Sequence, residues 1–259
     1  MREALWSELL KARRSRLPAL TALAFTLVTL VCGLFMFILA DPARARALGL
    51  LGDKAQLSGA VADWPGYLAL LAQAVAVGGL LVYSMIAIWV FGREFSDHTA
   101  KDLLALPTSR TTIVAAKFTL TAAWALLLAA GTIAAGLLLG ALLALPGWSA
   151  QAITSGIAKI LVAAALSAVL TTPLALAASI GRGYLAAVGV LFVLAFAAQI
   201  IAALGFGAWF PYSVPGLYAG IAGPGHDPPG SAGILLVLAT GAAGVAATLV
   251  WWRNADHDR

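Results

Sequence analysis

Apolar residues run along this chain in long uninterrupted stretches, and polar residues gather in the gaps between them. Six stretches are long enough to form helices that cross a bilayer: 17–40, 67–91, 118–145, 157–180, 184–204 and 232–252. A helix needs about 20 predominantly apolar residues to traverse the hydrocarbon core. The pattern therefore predicts an all-α integral membrane protein with six transmembrane helices in a single transmembrane domain over 1–259. Asp41-Pro42 ends the first span, because proline disfavours helical geometry in the residue before it. Residues 41–66 form a mixed-charge loop with a short surface helix over 43–51, and Trp64-Pro65-Gly66-Tyr67 reads as an interface anchor. Thr171, Thr172 and Pro173 predict a bend inside the fourth span, where the threonine hydroxyls can satisfy carbonyls that the proline frees. Thr132, Gly136 and Gly140 form a ridge of small residues on the third span, a pattern for close helix packing.

Composition agrees with the pattern. The chain is 62% hydrophobic and 10% charged, with a mean hydropathy of +0.95. A soluble domain carries about 25% charged residues. The net charge of +5 reports which side of the membrane the loops occupy and not a nucleic-acid footprint. With the N-terminus inside, twelve Lys and Arg fall in 1–16, 92–117, 181–184 and the tail, and four fall on the other side. That bias places both termini in the cytoplasm. The first apolar run is longer than the 7–15 residues of a signal-peptide core, so it reads as a retained span. Cys32 is the only cysteine, which rules out an intrachain disulfide.

Residues 1–16 place Leu5, Trp6, Leu9 and Leu10 on one side of a helix, with Glu3, Glu8, Lys11 and Arg14 elsewhere. The spacing predicts an amphipathic interfacial helix with its charges turned to water and lipid headgroups. Residues 205–231 are rich in Gly, Pro and aromatics and hold no Lys or Arg. They form an extracytoplasmic loop or a broken segment that re-enters the membrane where protein covers its backbone.

Residues 92–117 stand apart as a polar island between the second and third spans. Asp97 can cap a short helix from about His98 to Leu106 whose apolar end is Leu103, Leu104 and Leu106. Pro107 closes it, and Thr108 or Ser109 can cap the third span. A short cytoplasmic helix held between two spans suits docking into a groove on a soluble partner. Glu94, at the inner end of the second span, is costly facing lipid, which points to an ion pair with Arg110 or Lys117.

Enzyme chemistry finds little support. His98, His226 and His257 are scattered, and no metalloprotease or nucleophile-elbow motif occurs. The spans hold few ionisable groups, which disfavours a gradient-driven transporter or channel. A P-loop is absent, so ATP would have to be hydrolysed by another chain. A non-transporting membrane scaffold or assembly factor is the other alternative. Gln73, Ser84 and Gln199 are the polar candidates to line a path through the spans, with helix–helix hydrogen bonding as the competing role.

The run G-R-E-F-x-D-x-T-x-K-x-L-L-x-x-P-x-x-R, followed by Lys117, resembles the first cytoplasmic loop of ABC-2-type exporter permeases, near the bacitracin and lantibiotic self-immunity subgroup. Glu94, Thr99, Leu103, Leu104, Pro107, Arg110 and Lys117 carry that resemblance. The E-x-x-K pair Glu8 and Lys11, the run from Trp209 to Pro215 and the order of six spans add to it. The resemblance implies a passive, non-enzymatic permease in the bacterial cytoplasmic (inner) membrane, in contact with membrane lipids. It also implies a separate ABC ATPase subunit that binds ATP and Mg, and a second permease chain in a homo- or heterodimer. In that setting 92–117 is the coupling segment, and the cargo is amphipathic, peptide, drug or lipid-like.

Overall fold

Asp63 turns the chain into its most buried helix. Its carboxylate accepts from the Gly66 amide at 2.8 Å, and Pro65 occupies the first turn, where its missing N–H costs nothing. The fold is seen in a computed structural model that describes residues 1–50, 61–99, 107–223 and 228–254. Helix α1 is Arg2–Arg14, α2 Leu17–Ala40, α3 Pro42–Ala47, α4 Trp64–Ser96, α5 Arg110–Leu142, α6 Ala150–Val169, α7 Thr172–Ile180, α8 Leu185–Ala203, α9 Val214–Ala219 and α10 Ser231–Asn254. Among the described residues, six segments are long and apolar enough to cross a membrane, with α6 and α7 together forming the fourth. The chain is a multi-pass membrane protein.

Helix α4 is the hub. It packs most extensively on α6, then on α7, α5 and α2, and also touches α8 and α9. Helices α2, α5, α8 and α10 turn large apolar side chains outward, among them Leu127 and Leu185. Outward hydrocarbon is the arrangement a bilayer requires. Close approach of α4 and α5 depends on glycine: a Cβ at Gly136 would lie 2.5 Å from Leu71, and one at Gly140 would lie 2.5 Å from the Trp64 ring. The small-residue ridge therefore packs inside the chain.

The spans differ from the hydropathy boundaries in an informative way. Helices α4 and α5 each have 33 residues, about 50 Å at 1.5 Å per residue. They exceed the ~30 Å hydrocarbon thickness and continue as helix into the polar island, to Ser96 and from Arg110. The third span ends at Leu142, and the fourth begins at Ala150 behind an N-cap, Ser149. The surface helix is shorter than 43–51, spanning Pro42–Ala47.

The predicted bend in the fourth span is present as a break between α6 and α7. The Thr171 hydroxyl donates to the Ala168 carbonyl at 2.7 Å, and that of Thr172 lies within reach of Val169 and Gly241 carbonyls. The Tyr212 hydroxyl donates to the Leu170 carbonyl at 3.1 Å. Tyr212 belongs to the segment 205–223, which forms two 3-10 turns and α9. This segment buries Tyr212, Ser213, Val214 and Ala219 against the bundle. Many of its backbone amides bond locally, and Phe206, Trp209 and Ile221 stay exposed on its outer side.

Candidate functional site

Four charged side chains meet at the end of the bundle where α1, the end of α4 and the start of α5 converge. Lys117 Nζ lies 2.9 Å from Glu94 Oε2 and 3.2 Å from Glu8 Oε2, and it donates to the Val90 carbonyl at 2.7 Å. Lys11 Nζ lies 2.7 Å from Glu8 Oε1 and 2.8 Å from Glu94 Oε1. Each carboxylate thus bridges both ammonium groups, and the quartet sums to zero charge. Lys117 is 0% exposed and Glu94 2%. A lone ion so placed would be severely destabilising, and mutual pairing is what makes the burial tolerable. The Phe91 ring, 5.8 Å from Lys117 Nζ, adds a cation–π face. On α1, outside the spans, burial acts to lower the Lys11 pKa. The facing Glu94 and Glu8 carboxylates outweigh that and hold the ammonium above its ordinary 10.5.

This geometry resolves the alternatives for Glu94. Its partners are Lys117 and Lys11, not Arg110. The Arg110 guanidinium instead reaches the carbonyls of Trp252 at 3.2 Å and Arg253 at 3.3 Å, at the C-terminal end of α10. A cation on the last carbonyls of a helix is favourable, and here it fastens α10 to α5. The Trp252 indole, fully buried, donates to Ser179 on α7 at 3.0 Å. The N-terminal helix, α10 and the α4–α5 junction therefore share one end of the bundle.

Helix α1 corrects one expectation. Leu5 and Leu9 pack against the bundle, but Glu8 is buried and Lys11 half-buried, both facing inward, while Trp6 is exposed. The polar island is corrected at its start. Asp97 is the C-cap of α4 and lies 3.7 Å from Arg93, which also stacks on Trp89. His98 has φ +57°, with the Thr99 amide donating back to the Glu94 carbonyl at 2.9 Å. That is a Schellman-type stop, so no helix starts at His98, and Asp97 ends α4 instead of capping a new one. Ser109 caps α5, accepting from the Thr112 amide at 3.2 Å. Leu103, Leu104 and Leu106 lie outside the described residues. Pro107 and Thr108 form one wall of a groove of about 320 Å³ whose other walls include Glu3, Ser7 and Ile113.

The pathway candidates separate. Gln199 lines an apolar cavity of about 240 Å³ between α4, α8 and the 205–223 segment, with Leu80, Phe196 and Tyr212 in its walls. Gln73 donates to the Gly220 carbonyl at 3.3 Å and tethers α9 to α4. Ser84 is fully buried on α4, away from that cavity.

Residues 4–198 match the family model described as ABC-2 family transporter protein. The chain belongs to the ABC-2 transporter family. The match starts in α1 and runs into α8, so it encloses all four members of the charge quartet. The chain is also 26% identical over 179 residues to the bacitracin transport permease protein BCRB of Bacillus licheniformis, covering 69% of this chain and 85% of that relative. In this ABC-2 protein, Glu8 and Lys11 are the site residues that span-by-span reasoning left out. Their signal was a charge pair three residues apart in a helix that must lie on an apolar bundle.

Proposed function

We propose that this chain is the membrane-spanning permease subunit of an ATP-binding-cassette exporter in a bacterial cytoplasmic membrane. It is not the ATPase: ATP and Mg are bound by a separate subunit, and a second permease chain completes the translocation unit. The cargo is an amphipathic, peptide, drug or lipid-like molecule leaving the cytoplasm or inner leaflet. The observation that carries the reading is the buried quartet Glu8–Lys11–Glu94–Lys117. It ties α1, α4 and α5 into one body at the end from which the island between α4 and α5 departs. A push on that island then moves both spans together. The quartet is charge-balanced and sits at a helix end, which favours a mechanical clamp over an ion-coupling site. Asp97, Thr99, Leu103, Leu104, Leu106, Pro107 and Arg110 form or flank the coupling segment, and the groove between α1 and Pro107 is its continuation. The mostly apolar cavity beside Gln199 suits an amphipathic cargo. The excess of Lys and Arg on the side of the termini makes that side cytoplasmic.

The test is co-purification. The full chain is expressed with its ATPase, as wild type and as the Leu103→Asp, Leu104→Asp double variant. Loss of the ATPase from a variant that remains folded is the expected result. Retention at wild-type level refutes docking at this segment and favours a scaffold role.

A further inference from the structure

The N-terminal helix has a second face that the clamp does not use. Glu8 and Ala12, one turn apart, form the buried side of α1. Arg2, Trp6 and Arg13 follow at i, i+4 and i+11, so they share one stripe turned away from the bundle, and all three are exposed. A tryptophan on such a face marks the level of the lipid headgroups. Ser15 then fixes the corner between α1 and α2. Its hydroxyl donates to the Ala12 carbonyl at 2.8 Å and accepts from the Leu17 amide at 3.3 Å. Arg16, the N-cap residue of α2, is exposed at this corner, and its backbone already has helical angles, φ −82° and ψ −7°. Arg16, Leu20, Leu23 and Leu27 therefore fall on one face, at i, i+4, i+7 and i+11. The three leucines are 57%, 55% and 51% exposed, which makes this the hydrocarbon-facing side of the span. Arg16 stands where that side ends, with Arg13 three residues before it. Charge at the corner is unbalanced. Glu8 is taken up by Lys11 and Lys117, and Glu3 lies ten residues from Arg13, about 15 Å along the helix. Among the described residues no carboxylate pairs with Arg13 or Arg16.

We propose that the α1–α2 corner binds anionic phospholipid. The guanidinium groups of Arg13 and Arg16 take headgroup phosphates, and the acyl chains lie along Leu20, Leu23 and Leu27. A guanidinium offers phosphate a fork of donors as well as charge, and arginines immediately beside a span attract anionic lipid. A soluble phosphate leaves the leucine stripe uncovered, and an acidic protein surface meets the arginines but not leucines that lie in hydrocarbon. Only a lipid satisfies both parts of the face. On the orientation proposed above, the site faces the cytoplasmic leaflet.

The purified full chain in detergent is titrated with short-chain phosphatidylglycerol and, separately, with phosphatidylcholine of the same chain length. Retained lipid is counted by native mass spectrometry. Phosphatidylglycerol is expected to bind at least about tenfold more tightly. The Arg13→Gln, Arg16→Gln double variant is expected to weaken its binding about 25-fold, near fivefold per arginine, with phosphatidylcholine unchanged within about twofold. Arg13→Lys with Arg16→Lys keeps the charge and retains the preference. Arg44→Gln with Arg46→Gln, an equal loss of charge on the exposed face of α3, stays within about twofold, as for screened surface charges. Equal affinity for the two lipids, unchanged phosphatidylglycerol binding in the Arg13, Arg16 variant, or an equal loss in the α3 variant overturns the proposal. Displacement of the lipid by inorganic phosphate overturns it too, in favour of a soluble ion. All four arginines are exposed, so a melting midpoint equal to wild type confirms that each variant is folded. The measurement uses no ATPase and no cargo, so its failure does not bear on the permease reading.

Discussion

Replacing Glu94 with glutamine preserves the side chain's size and removes one of the two negative charges in the quartet. Lys11 and Lys117 then face Glu8 alone, with Lys117 0% exposed. Breaking a buried ion pair from one side costs about 3–5 kcal/mol, because the remaining charge stays uncompensated. For a chain of this size each kcal/mol corresponds to ~2–4 °C, so the melting midpoint in detergent is expected to fall by ~6–20 °C. Adding Lys117→Gln restores neutrality, since Glu8 and Lys11 remain paired at 2.7 Å. The double variant should lose about 1–3 kcal/mol less than the sum of the singles. Additive losses, or a single-variant shift below about 2 °C, would show that the quartet is not an interacting unit. The clamp also has a functional readout. In the reconstituted complex, Glu94→Gln should uncouple substrate stimulation from ATPase turnover even below the melting range. Unchanged stimulation would leave the quartet as a purely structural feature.

Three further predictions follow from separate parts of the fold. Lys11 has its pKa raised above 10.5, so its stabilising contribution is complete below that value and is lost as pH climbs through the folded-state value. Thermal stability of the wild type should therefore decline above pH 10.5 faster than that of Lys11→Arg, measured as melting midpoint against pH. Gly140→Ala drives a methyl into the Trp64 ring, 2.5 Å away, and should destabilise by about 1–3 kcal/mol. On the same helix Gly131 has nothing within 4 Å, so Gly131→Ala should be neutral or gain up to about 1 kcal/mol; comparable melting losses in both would refute the α4–α5 packing. Tyr212→Phe leaves the Leu170 carbonyl without its donor and should cost about 1–3 kcal/mol, whereas Tyr218→Phe should leave the melting midpoint unchanged.

Six runs of hydrocarbon-like residues can only be spanning helices in a bilayer, so span number and class were legible from composition and length alone. The break in the fourth span was legible too, because Pro173 removes a donor wherever it sits and Thr171 and Thr172 are the nearest replacements. Helix ends were not. Hydropathy stops at Gly92, but α4 continues to Ser96, because arginine and glutamate are good helix formers and the island's first turns are held by protein. The same blindness made His98 look like the start of a helix when its left-handed backbone marks the end of one. Glu94 was identifiable as a residue that needed a partner, since a carboxylate beside an apolar run has few tolerable fates. Which partner it takes was decided in three dimensions. Lys117 lies two turns inside α5 and points at Glu94, while Arg110, seven residues earlier on nearly the same face, stands at the helix's first turn and reaches the end of α10. Helix periodicity sorts residues onto faces, but only packing says what each face meets. For that reason Glu8 and Lys11, drawn in by the docking of α1, turned from a surface pair into half of a buried clamp.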